Sequence, residues 1–185
     1  MASQISADVV TVGTGQRRTR ITGNGVLWVV QALWGVFFAG SGFGKVLLYD
    51  DAMYAAAPQA MAWYAAVSQP LIVFIGVAEV LGGLGLILPA MTRVRPGLTP
   101  LAAAGLTLTM ILAGAFHVVR GEFELLPSNI VLGAVAAVIA VGRWTKRPIS
   151  PAPLTRGRLM WSMVVVALVV LLVFGPTWYS MTTRF

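Results

Sequence analysis

Between Pro70 and Pro89 the sequence reads PLIVFIGVAEVLGGLGLILP, apolar or glycine throughout except for Glu79. A helix on a soluble surface would carry a polar face, and this stretch has none. It is therefore read as a helix inside a bilayer, which takes about 20 apolar residues to cross. A carboxylate at that depth needs a partner, a proton or a water-filled cavity. What Glu79 faces is the question around which the chain is organised.

Similar runs recur, and spans are expected at about 26–48, 71–88, 101–119, 126–144 and 159–174. With 58% hydrophobic and 10% charged residues in 185, no sizeable soluble domain fits beside them. The expected fold is all-α: a four-helix transmembrane bundle, a fifth C-terminal transmembrane helix, and an interfacial segment between the first two spans. By residue, 1–21 is a cytoplasmic polar and basic tail and 22–145 the membrane core, with the interfacial segment at 50–69. Residues 146–158 form a basic, proline-rich linker, and 159–185 the fifth helix and its tail. The arginines at 17, 18 and 20 before the first run, with Ala39-Gly40-Ser41 inside it, also fit a signal peptide. The run continues to Tyr49, past the length of a signal core, so it is read as retained.

The interfacial segment is expected to open with an Asp50-Asp51 cap, to break at Pro58 and to carry Trp63 and Tyr64, whose rings suit the headgroup zone. Gly40 and Gly44 form a Gly-x-x-x-Gly pair expected to admit a neighbouring backbone. Ten of the 13 lysines and arginines fall on one side of the spans. The positive-inside rule then puts the N-terminus in the cytoplasm and the C-terminus outside the plasma membrane. A net charge of +7 distributed in this way reads as topology and argues against a nucleic-acid face.

There is no cysteine, so thiol chemistry, disulfides and Cys-ligated metals are excluded. Following the direction of each span, Lys45, Glu79, His117 and Asn129 converge at similar depth in the outer half of the bundle. Ser41, four residues before Lys45, shares its helix face. Two readings of this set stay open. In one, Lys45 and Glu79 form a structural ion pair, with His117 and Asn129 completing hydrogen bonds. In the other, these five residues bind the polar head of an amphipathic molecule, a quinone foremost, whose carbonyls want donors and whose reduction wants protons. A lone histidine without a Glu-x-x-His motif argues against a metal or haem. Glu122 and Glu124 read as solvated loop. Gly82-Gly83-Leu84-Gly85 lies inside a span with no lysine after it, so it is not a phosphate loop.

From Trp28 to Trp144 the chain resembles the DoxX-like family of small bacterial membrane proteins. The resemblance rests on Gly42-Phe43-Gly44-Lys45 closing the first span and on Glu79-Val80-Leu81-Gly82-Gly83-Leu84-Gly85-Leu86-Ile87-Leu88-Pro89. It rests also on His117 shortly before Gly121-Glu122, and on Asn129 opening the fourth span. It implies a four-helix membrane core in a family linked to quinone-coupled sulfur oxidation or redox-stress complexes. The fifth span and the lack of cysteine depart from it, and the second weakens any thiol-linked role. The expected function is a quinone-associated or redox-complex subunit working with other membrane subunits. The alternatives are a non-catalytic assembly subunit or a carrier of a small amphipathic molecule, and no turnover is assigned to the chain alone.

Overall fold

The computed structural model describes residues 23–47 and 59–182; the N-terminal tail and the Asp50-Asp51 cap lie outside the described residues. Its helices are α1 (Gly23–Leu47), α2 (Gln69–Thr92), α3 (Leu98–Arg120), α4 (Leu126–Val141) and α5 (Arg156–Thr182). A 3-10 helix, Gln59–Ala66, leads into α2, and a π turn, Gly142–Lys146, extends α4. No strand occurs among the described residues. Among the described residues, four helical segments are long and apolar enough to cross a bilayer: α1, α2, α3, and 123–146, which contains α4. Large apolar side chains point outward around them, among them Phe74, Leu81, Ile130 and Val119. Such a surface belongs in lipid, and the molecule is an integral membrane protein.

Lipid tails are as apolar as leucine, so the helices gain no hydrophobic energy from one another and must associate through close packing. The α1–α2 contact shows how. Gly35 and Gly42 of α1 lie against the backbone of α2 at Gly83 and Gly76, seven residues apart on each helix. A β-carbon on Gly83 would run into the backbone of Gly35 and Ala39, and one on Gly42 into that of Gly76 and Val80. The expected Gly40/Gly44 pair is not the contact: Gly44 faces open space. The packing seam runs along Gly35, Ala39 and Gly42 because these share the buried stripe of α1.

Proline placement also differs from the expected boundaries. Pro70 opens α2, but Pro89 sits inside it, and the helix runs on to Thr92 before closing in a left-handed residue, Arg93 (φ 59°). A proline so near a helix end removes one hydrogen bond without stopping the last turn. Pro100 likewise falls in the first turn of α3, which shortens the expected 91–100 loop.

The chain winds up and down so that α1 packs on α2, α2 on α3 and α3 on α4, whereas α1 meets α4 only sparingly. Trp34 Nε1 donates to Leu132 O across that seam (3.1 Å). Leu27, Phe38, Leu86, Leu106, Met110 and Ile139 form the core between the four helices. One end of the bundle carries Arg93, Arg95, Arg143, Lys146, Arg147, Arg156 and Arg158, while Glu122 and Glu124 lie in the loop at the opposite end.

Alanine at Gly42 or Gly83 meets backbone that cannot rotate away, so each substitution should cost about 1–3 kcal/mol. Gly44→Ala should leave stability unchanged or slightly raised, because nothing is in its way. Reversible unfolding in mixed detergent checks both, and equal effects at the three positions would refute the seam.

Candidate functional site

A cavity of about 410 Å³ lies between the helices in the half of the bundle away from the basic end. Ser41, Lys45, Glu79, His117 and Asn129 all contribute to its wall, together with apolar side chains such as Phe38, Ile75 and Met110. Lys45 Nζ donates to Glu79 Oε2 and to Ser41 Oγ, both at 2.7 Å. Lys45 is 6% exposed and Glu79 4%, so each charge has lost its water and depends on the other. The 3–4 residue steps that put Gly76, Glu79 and Gly83 on one face of α2 turn the carboxylate towards α1.

His117 and Asn129 border the cavity without joining that pair. Asn129 Nδ2 donates to Leu125 O (3.1 Å) at the start of its own helix. His117 Nδ1 is 2.7 Å from Glu122 Oε2, and Arg120 Nε donates to the other carboxylate oxygen (2.7 Å). Glu122, read from the sequence as solvated loop, is thus a partner of the buried histidine. The local cause is Gly121 (φ 73°), which turns the chain back so that Glu122 N donates to His117 O (2.9 Å). The hydrogen bond from His117, with Arg120 beside it, holds the Glu122 carboxyl below its ordinary value of 4.5. An ionised Glu122 accepts only, so Nδ1 carries the hydrogen and Nε2 has no partner among the described residues.

Over the cavity lies the 3-10 helix. Trp63 stacks on Tyr64 (4.2 Å between centroids) and meets the His117 ring edge-on (6.0 Å). Phe37, Phe74 and Leu112 line the cavity and are at the same time more than half exposed, so the chamber is reachable from the lipid side.

A second polar assembly fills the basic end, where the sequence reading had no site. Arg143, at the very end of the expected fourth span, is 3% exposed and turned inward by the π turn. Its Nε donates to Gln31 Oε1 (2.6 Å) and its Nη1 to Asn24 Oδ1 (2.9 Å), and its guanidinium covers the Trp28 ring at 4.6 Å. Gln31 in turn donates to Leu86 O (2.6 Å), tying α1, α2 and α4 together. Gln31 inside an apolar run was the available signal. Its partner was hidden because Arg143 reads as an ordinary span-flanking arginine.

The family model described as the DoxX-like family matches residues 29–140, more than half of the chain and all of the cavity residues named above. The chain belongs to the DoxX-like family. No curated protein and no solved structure matches it. The matched span of this DoxX-like protein reaches from α1 to the end of α4 and stops short of Arg143 and α5.

Two outcomes follow from the charges. Glu79→Leu should cost about 3–5 kcal/mol by leaving Lys45 buried and alone, and Lys45→Met in the same chain should restore most of it. A double-mutant cycle in detergent measures this, and additive losses would mean the two charges are not coupled. Glu122 has a lowered folded-state pKa, so its stabilisation is present above about pH 4.5 and is lost as pH falls through the folded value. The melting-temperature gap between wild type and Glu122→Gln should therefore be open at neutral pH and close in acid. A gap unchanged at acid pH would contradict the ionic link.

Proposed function

We propose that this DoxX-like protein binds the head group of a lipid-soluble, hydrogen-bonding molecule, a quinone foremost, in the cavity between α1, α2, α3 and α4. The observation that carries the reading is the chamber's composition: about 410 Å³, mainly apolar, with Lys45, Glu79 and His117 as its ionisable groups and exposed Phe37, Phe74 and Leu112 at its edge. Lys45 uses two of its three donors on Glu79 and Ser41, which leaves one for a carbonyl oxygen. His117 offers Nε2, while its Nδ1 contact to Glu122 links the chamber to the loop and thus to water. Once protonated, the ring can give its Nε2 proton to a bound head group while Nδ1–H stays on Glu122, and a proton taken up from water at the loop restores the imidazolium. The chain has no cysteine, and its contribution in this reading is a seat and protons, with electrons supplied by a partner subunit.

In the same reading the basic end faces the cytoplasm by the positive-inside rule, and the cavity opens in the outer leaflet under the interfacial segment. Helix α5, with 27 residues, is about 40 Å long, enough for a fifth span. An assembly subunit is the second reading. The observation in its favour is that Lys45 and Glu79 already satisfy one another through a 2.7 Å contact.

Ala113 lines the cavity and has no polar side-chain atom to share in the ion pair, so Ala113→Phe should fill the chamber without removing either charge. Organic extracts of detergent-purified protein, compared by mass spectrometry, should contain a quinone or related molecule in wild type and lack it in a folded Ala113→Phe protein. No enriched molecule in wild type would overturn the ligand reading and favour the assembly subunit.

A further inference from the structure

We propose a second binding site, for the phosphate group of an anionic phospholipid such as phosphatidylglycerol, in the crevice between α1, α2 and α5 at the basic end. The crevice measures about 460 Å³ and is lined by Trp28, Met91, Arg93, Gly157, Arg158 and Trp161. It is separate from the cavity above and does not depend on what that cavity holds.

Charge supports an anion. The acidic residues among those described are Glu79, Glu122 and Glu124, and each ion pair there is made away from this end. Arg93 and Arg158 therefore face the crevice with no carboxylate of the described residues near them. Arg158 gives Nη1 to Pro153 O (2.8 Å), and the Arg93 guanidinium has no partner among the described residues. Arg143, which does not line the crevice, lies against the Trp28 ring that does and brings a third positive charge close to it; its Nη2 finds no acceptor among the described residues.

Placement supports a lipid. Arg93 ends α2 in a left-handed conformation rare for a side chain with a β-carbon, and its carbonyl accepts from Ala152 N (3.3 Å). That contact fixes the point from which its side chain departs. Gly157 and Arg158 belong to the first turn of α5, so the crevice sits where helices begin and end, at headgroup depth. Trp161, 68% exposed, and Trp28 supply the indoles that favour this layer. A phosphodiester would accept from both arginines while its glycerol backbone lies against the two rings.

The test is native mass spectrometry of the full chain released from detergent with phosphatidylglycerol, with phosphatidylcholine of the same acyl chains, or with inorganic phosphate. Two charge-matched variants are compared: Arg93→Gln/Arg158→Gln at the crevice and Arg95→Gln/Arg156→Gln beside it. Wild type should retain one phosphatidylglycerol in preference to phosphatidylcholine. The crevice variant should lose it by roughly 10- to 30-fold, with the other variant unchanged. Equal loss in both variants would show only diffuse attraction and overturn the site, as would equal retention of the two lipids. Retention of inorganic phosphate with no preference between the lipids would assign the crevice to a free anion and overturn the lipid.

Discussion

The direct approach of α1 to α2 governs the rest of the bundle. With no hydrophobic force between helices in lipid, contact depends on how near the backbones come, and Gly35, Gly42, Gly76 and Gly83 set that distance. The charged pair depends on it too. The Lys45 β-carbon lies where a side chain on Gly76 would have to go, and Glu79 is one helical turn further along α2. Without glycine at 76 the lysine could not lie flat against the neighbouring helix and reach the carboxylate at 2.7 Å. Small residues and buried charges, separate features in the sequence, are here one arrangement.

The two halves of the bundle are built on different principles. At the basic end, Gln31 and Arg143 bind three helices through neutral acceptors and an indole face, so the interior is filled. Past Trp34 and Leu132, the latter already in the cavity wall, the space between the helices becomes the cavity. A single hydrogen bond from an indole to a backbone carbonyl thus marks where a packed bundle turns into a chamber. The matched family region contains that transition as well as both partners of the ion pair.

Most of the architecture was legible because hydrophobic run length reports bilayer thickness directly, and Glu79 stood out by being alone. The grouping of Lys45, Glu79, His117 and Asn129 followed from counting depth along alternating spans, and the cavity brings them together with Ser41. What escaped was local geometry. Glu122 looked like loop because its role depends on the left-handed Gly121, although a glycine closing a helix four residues after a histidine is a readable sign. Arg143 escaped since a π turn cannot be read from hydropathy, and one residue's rotation decides whether an arginine faces lipid headgroups or the core. The Gly-x-x-x-Gly pair misled because it noted spacing without asking which face of α1 is buried.

The linked His117 and Glu122 bear on bioenergetics as well as on chemistry. A membrane potential does work on any charge moved through its thickness, about 2.3 kcal/mol per elementary charge per 100 mV. Glu122 sits in the loop at the same end of the bundle as the His117 turn, and their side chains touch. A proton passed between that loop and the cavity would therefore cross only a shallow part of the field. The Lys45–Glu79 pair, neutral as a unit, adds no net charge to be moved. In the reading proposed above, protonation of a molecule in this chamber would be almost electrically silent, its balance set by the pH of the adjoining water and hardly by the voltage across the membrane.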